Sequence, residues 1–441
     1  MFELIRRGAV LLVILVAGVL IVACGGGEKE GAENGTPGSG SSAPVQGVTD
    51  TEILLGTHYP MSNSPAAVYA NSAYAMEAYF DYTNDQGGVN GRKLKLLVED
   101  DQYNPSLASE VVRKLVDQSK VFAIANGLGD STHFAVYKYL EDKGIPDLFL
   151  GGGIPAFSEP PGKLRFVSIP SYDTELRGTL AYLKEHYSGK KIGLLVQSDE
   201  AGKGMEEAIR QNLQESGIDL EIVGREYYDF TQSDMTSQAQ RLKATNPDVV
   251  LLMSTPTQAA NFTKVARELL NWDVPFMTGL TAGGDFYPLL AGPPAEGTIG
   301  IFYGPLLYTK GAEAAWQKHK DVMKQYKPDV QVNSQTGYGW GVAELTVKAL
   351  QAAGRDLTPE SVAKGAESIK DWCCEMCFAP ANLSPDDHRP NEVIFFAEVK
   401  DGKWEFTGEY ASVETTPGAR TTCPLFDQIV PSSQQKQLGL P

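Results

Sequence analysis

Short runs of β-branched and leucine-rich residues alternate with longer segments of helical period from Glu52 onward, and this alternation constrains the fold more than any other feature. Strand, helix and strand in succession pack as a parallel sheet with helices on its faces. Strands are predicted at 53–59, 94–98, 121–126 and 148–150, with helices at 66–84, 106–118 and 132–142 between them. Right-handed crossovers place such helices on both faces. After the extended stretch 165–170 the alternation begins again, with helices at 174–186, 205–215, 235–244 and 258–270 around strands at 192–197, 220–227 and 249–253. A strand at 298–303 and helices at 312–326, 338–353 and 359–369 follow. The 441 residues allow two or three domains at roughly 150 residues each. No long linker separates the two sets, so a chain interleaved between two α/β lobes is predicted rather than beads on a string.

The N-terminus fixes the compartment. Arg6 and Arg7 precede an uncharged apolar run, 9–23, that is shorter than a comfortable membrane span and has the layout of a secretory signal over 1–23. Ile21-Val22-Ala23-Cys24 resembles the bacterial lipobox, which makes Cys24 the expected lipidated residue; an uncleaved anchor is the alternative, and both export the chain. The Gly/Ser/Pro/Glu-rich stretch 24–47 buries too little apolar area to order itself and reads as a flexible tether. The expected location is extracytoplasmic, lipid-anchored to a bacterial membrane, in the periplasm or at the cell surface.

Charge and cysteines narrow the chemistry. With 38 Lys+Arg against 55 Asp+Glu the formal charge is −17, and no basic cluster exceeds a pair, which excludes nucleic acid as a partner. Cys373, Cys374, Cys377 and Cys423 suggest two disulfides in one of three pairings. Adjacent cysteines rarely bridge, which favours one partner for Cys423 and one short loop. A four-thiolate zinc site is the alternative, although Cys-Cys-x-x-Cys is not the paired spacing of a zinc ribbon. No Walker A loop, Gly-x-Ser-x-Gly elbow or His-x-x-x-His pair is present, so neither catalysis nor a cofactor or metal is expected. A hydrolytic grouping of Asp130, Ser131, Thr132 and His133 remains as the enzymatic alternative.

Residues 49–56 with Pro60-Met61-Ser62, then 84–92, then Asp100-Asp101 with Asn104-Pro105 form an ordered set of motifs. Residues 139–146, Asp229-Phe230-Thr231 with 242–248, Asp386-Asp387-His388-Arg389-Pro390 and the turn 399–403 continue it. In order and spacing the set resembles the substrate-binding proteins of branched-chain amino-acid type ABC transporters, the Leu/Ile/Val-binding family, over about 48–410. The resemblance implies a type I periplasmic-binding fold: two Rossmann-like lobes with parallel sheets joined by a three-segment hinge. Lobe 1 takes 48–169 and 300–385, lobe 2 takes 170–299 and 390–412, and 413–441 is a C-terminal extension expected to wrap back under a disulfide. The implied function is the solute-binding component of an ABC importer, with permease and ATPase subunits as partners. A ligand-sensing receptor of the same fold is the alternative.

The ligand is expected where open α/β sheets hold ligands, at loops following the strands. Asp130, Ser131 and Thr132 follow a strand and open a helix, and capping the helix is a compatible role for them. Ser62 with Tyr69, Gly152 with Gly153, Tyr172 and Thr281 are the other expected contacts. Family members that hold an α-amino acid grip its carboxylate with Ser and Thr hydroxyls and its ammonium with an acidic residue. Here Asp130 and Gly153 stand where the hydroxyls are expected, Ala201 replaces an aromatic, and 279–282 carries no carboxylate, Asp285 coming later. The solute class therefore spans amino acid, amide, polyol and aromatic compound, and leans away from leucine.

Overall fold

The computed structural model describes residues 44–413 and 420–440. The signal segment, Cys24 and the tether up to residue 43 lie outside the described residues. Residues 44–47, assigned to the tether by composition, belong to the fold. Gln46 Nε2 donates to Val121 O at 2.9 Å, and Gly47, at φ 71°, runs so close to Phe122 that a Cβ would meet its backbone nitrogen at 2.2 Å.

The first set of elements is β1 (Glu52–Tyr59), α1 (Ala70–Asp85), β2 (Lys93–Asp100), α2 (Pro105–Arg113), β3 (Ala123–Ala125), α3 (Asp130–Phe134), α4 (Tyr137–Lys143), β4 (Asp147–Leu150) and β5 (Arg165–Val167). The strands form one parallel sheet in the order β2-β1-β3-β4-β5, with β1 and β2 paired from Glu52↔Lys93 to Tyr59↔Asp100. The predicted helix 66–84 starts as a 3-10 turn, Pro65–Tyr69, because Ser64 caps Ala66 N and Pro65 follows that cap; the α-helix proper begins at Ala70. The predicted helix 132–142 divides into α3 and α4 at Val136, whose φ of −127° leaves the helical region.

The second set is α5 (Tyr172–Tyr187), β6 (Lys190–Gln197), α6 (Glu200–Ser216), β7 (Leu220–Tyr228), α7 (Thr236–Ala244), β8 (Val249–Met253), α8 (Pro256–Lys264), β9 (Phe276–Thr278), α9 (Phe286–Ala291) and β10 (Ile299–Phe302). Then come α10 (Glu313–Tyr326), α11 (Ser334–Ala353), α12 (Pro359–Glu367), β11 (Val393–Lys400), β12 (Lys403–Ser412), α13 (Pro424–Ile429) and β13 (Lys436–Leu438). Eight strands form the second sheet in the order β13-β12-β11-β10-β9-β8-β6-β7, parallel except where β11 meets β10 and β12. Because β10 lies in this sheet, the chain leaves it after Phe302.

The connections cross between the sheets three times. β5 leads to α5, β10 leads to α10–α12, and residues after α12 return to β11. Val342, Leu345 and Leu350 of α11 and Val362 of α12 share a core with Ile53 and Leu55 of β1, which assigns these helices to the first sheet. The C-terminal tail is fixed by a Cys373–Cys423 disulfide, by Phe426 packed with Phe378, Phe395 and Tyr410, and by β13 pairing along β12. Cys374 and Cys377 form the second disulfide, so the four sulfurs make two bridges rather than a thiolate metal site.

Candidate functional site

Loops at the carboxyl ends of strands from both sheets line one cavity, with about 800 Å³ of empty space partly open to solvent. Six aromatic rings dominate its wall: Tyr69, Tyr103, Tyr172, Phe230, Tyr303 and Tyr338. Leu128, Ile169, Met205, Met253 and Leu280 add aliphatic surface. Among the described residues, Asp130 is the only charged one on the wall.

The polar groups of the wall are largely paired within the protein. Asp130 Oδ1 accepts from Gly153 N at 2.8 Å and Ile154 N at 3.3 Å, while Oδ2 accepts from the Tyr172 hydroxyl. Burial pushes this carboxyl up to about 6, against the pull of those donors. Gln197 takes the Tyr228 hydroxyl at Oε1 and donates from Nε2 to Asp199. Thr281 Oγ1 donates to Ser254 O at 2.9 Å, and Thr281 O accepts from Tyr69.

Several contacts join the two sheets across the cleft. Ser131 Oγ donates to Asp199 Oδ2 at 2.7 Å, Tyr69 reaches Thr281 O at 3.1 Å, and Tyr103 stacks on Phe230 with ring centroids 4.4 Å apart. With Tyr172 on Asp130, they describe a closed arrangement of the lobes.

Of the nine expected ligand contacts, Tyr69, Asp130, Tyr172 and Thr281 line the cavity. The other five serve the scaffold. Ser62 Oγ donates to Asp100 at 2.5 Å, Ser131 meets Asp199, and Thr132 Oγ1 donates back to Leu128 O at 2.8 Å. Gly152 and Gly153 admit protein rings: a Cβ would lie 2.6 Å from Phe157 at the first and 2.6 Å from Tyr172 at the second. Reasoning from sequence missed Tyr103, Phe230, Tyr303, Tyr338 and Gln335. Tyr103 and Phe230 sit inside quoted motifs, between Asp101 and Asn104 and between Asp229 and Thr231, and that was their available signal.

The hydrolytic grouping is not assembled. His133 Nδ1 meets His58 Nε2 at 3.0 Å and its Nε2 meets Asp147 at 2.7 Å, while His58 Nδ1 meets Asp101 at 2.7 Å. This buried chain of four side chains braces the loop after β3. A Cβ on Gly127 would lie 2.6 Å from His58 Nε2, so glycine alone fits there. None of the four lines the cavity.

Glu175 lies buried behind the Leu280 wall, its Oε1 accepting from Leu280 N at 3.0 Å and its Oε2 without a partner. Burial pushes its carboxyl up to about 8. Since the folded value lies above the unfolded one, the folded state binds the proton more tightly, and stability falls as pH rises from about 4.5 through about 8. Urea titrations of Glu175→Gln and the unsubstituted protein should therefore diverge, the variant gaining on the order of 3 kcal/mol relative to the parent between pH 5 and 8. A difference that stays flat with pH would mean that Glu175 remains charged in the fold.

A family model described as periplasmic binding protein matches residues 52–403. The Leu/Ile/Val-binding protein homolog 1 of Brucella suis is 24% identical over 361 residues, covering 80% of this chain and 93% of that protein. Among solved structures, the fatty acid ABC transporter substrate-binding protein from Thermomonospora curvata has a TM-score of 0.72 at 23% identity, over 82% of this chain and 92% of that one. A branched-chain amino acid ABC transporter structure from Thermus thermophilus with bound valine has a TM-score of 0.73 at 18% identity, over 87% and 99%.

Proposed function

The chain belongs to the periplasmic binding protein family, and from that premise we propose that it captures an uncharged, largely apolar or aromatic solute between its two lobes and delivers it to an ABC permease. The family is extracytoplasmic, and the signal segment with Cys24 supports export with a lipid anchor. ATP hydrolysis belongs to partner subunits. The lobes, in this reading, hinge at the three crossovers, and the solute stabilises the closed form by touching both at once.

One observation carries the choice of solute: the wall holds six aromatic rings and no lysine or arginine, and both oxygens of its single carboxylate are engaged. A zwitterion would bring a carboxylate into a site with no cation to meet it, and an ammonium whose one counter-charge, Asp130, is already turned to Tyr172, Gly153 and Ile154, at several kcal/mol. The relatives' names refer to branched-chain amino acids and to a fatty acid. The charge-poor wall favours the apolar end of that range, and its hydroxyls, paired within the protein at Thr281, Tyr69, Tyr172 and Tyr338, disfavour a polyol.

A thermal-shift screen of the full-length protein tests this. A solute at 100 times its Kd adds about 2.7 kcal/mol of stability. Phenols and other uncharged aromatics should raise the melting temperature while leucine and valine leave it unchanged. A shift with leucine or valine alone would refute the proposed solute class.

A further inference from the structure

A second cavity, with about 900 Å³ of empty space partly open to solvent, shares Leu280, Tyr303, Gln335 and Tyr338 with the cleft. It lies on the far side of the crossover that follows β10, between the second sheet and α11. Among the described residues, its wall carries no Asp, Glu, Lys, Arg or His. Phe302, Leu306, Val342, Trp372 and Met376 give it an apolar surface, and the Cys374–Cys377 disulfide closes one side.

The two shared tyrosines differ. The Tyr338 hydroxyl is pinned by Ser168 Oγ at 2.7 Å and Asn126 Nδ2 at 2.8 Å. The Tyr303 hydroxyl makes no hydrogen bond to any described residue, and its ring meets Tyr338 edge-on at 6.3 Å. Tyr303 is half-buried and lines both cavities, so its ring forms part of the partition between them.

Resting on the solute-binding reading above, we propose that the binding site continues past Tyr303 into this hinge cavity, and that the solute is an elongated uncharged molecule. Its ring or polar head lies among the cleft aromatics, and an aliphatic tail occupies the hinge cavity. The Tyr303 hydroxyl and Gln335 Nε2, which donates to no acceptor among the described residues, flank the passage.

Calorimetric titration of the full-length protein with 4-ethyl-, 4-butyl-, 4-hexyl- and 4-octylphenol tests the extension. Affinity should rise about fourfold per methylene, the equivalent of ~0.8 kcal/mol, and keep rising to the octyl homologue. Gly341 lines only the hinge cavity, where a Cβ would meet nothing closer than Cys374 Sγ at 3.6 Å. Gly341→Leu should therefore fill the space and lower the octyl-to-ethyl affinity ratio by tenfold or more. If that variant does not fold, Tyr303→Ala asks the question in the opposite sense, since opening the partition should raise the ratio. Ethylphenol binding with a ratio that is flat in the parent and both variants would overturn the extension and leave the cleft reading standing. Failure of every homologue to bind would overturn both.

Discussion

Alanine at Asp130 is expected to weaken solute binding about a hundredfold and to lower the melting temperature of the unliganded protein by several degrees. Asp130 sits on the first-sheet side of the cleft, and its carboxylate gathers three donors: the Tyr172 hydroxyl from the second lobe and the backbone N–H groups of Gly153 and Ile154. Truncation leaves all three buried without an acceptor, at about 1–3 kcal/mol each when unrelieved. The loss of the Tyr172 contact falls on the closed form, which in the proposed function is the form that holds solute, and ~2.7 kcal/mol there corresponds to a hundredfold in Kd. Asp130→Asn retains an oxygen for the two N–H groups and can donate to Tyr172, so it should recover most of the affinity. Calorimetric titration of the two variants separates these outcomes. Wild-type affinity in Asp130→Ala would mean that closure does not run through this contact.

Removing the Cys373–Cys423 bridge should give the largest loss of stability of any change remote from the cleft. The bridge spans a sequence separation of 50, and the chain-entropy relation for a loop of that size gives about 4 kcal/mol. The Cys374–Cys377 bridge, with a separation of 3, should contribute about half as much. In the double variant Cys373→Ser/Cys423→Ser, denaturant midpoints should fall accordingly. Amide exchange should accelerate first over 420–440, where α13 buries Phe426 and β13 is held by Lys436 pairing with Glu185 and Glu409. An unchanged midpoint would mean that the aromatic cluster around Phe426 holds the tail without the bridge.

Much of the architecture was legible because its signals are local. The run 249–253 reads as a strand in either context, and β8 occupies those same five residues, all buried. α12 begins where Thr358, ahead of Pro359 at the first helical position, accepts from Ser361 N, a start signal visible in the sequence. β9 escaped because three residues are too few to display a period, and α9 because six residues with Pro288 in the first turn show no helical period. The turns Lys114–Gln118 and Val265–Leu269 wind as π-helix at the ends of predicted α-helices, a change in hydrogen-bond spacing that apolar periodicity does not record. The disulfides lay between: local spacing favoured a short loop and one partner for Cys423, but chose neither pair.

The site was legible only in part, and the reason is its range. Tyr69 and Asp130 were foreseen from strand-to-helix loops, whose position at a sheet edge follows from local pattern alone. Ser62, Ser131, Thr132, Gly152 and Gly153 lie on the same loops, yet their side chains or backbone are claimed by Asp100, Asp199, Leu128, Phe157 and Tyr172. Which groups remain free to meet a solute depends on partners far away in the chain, as with Tyr69 and Thr281, separated by 212 residues. By itself the sequence determined two sets of strands and helices and a cleft at the strand ends, because helix period and strand alternation act within a few turns of chain. Only the tertiary structure decided that the wall would be aromatic and nearly free of unpaired charge, because desolvation and hydrogen-bond satisfaction are properties of the closed three-dimensional cleft.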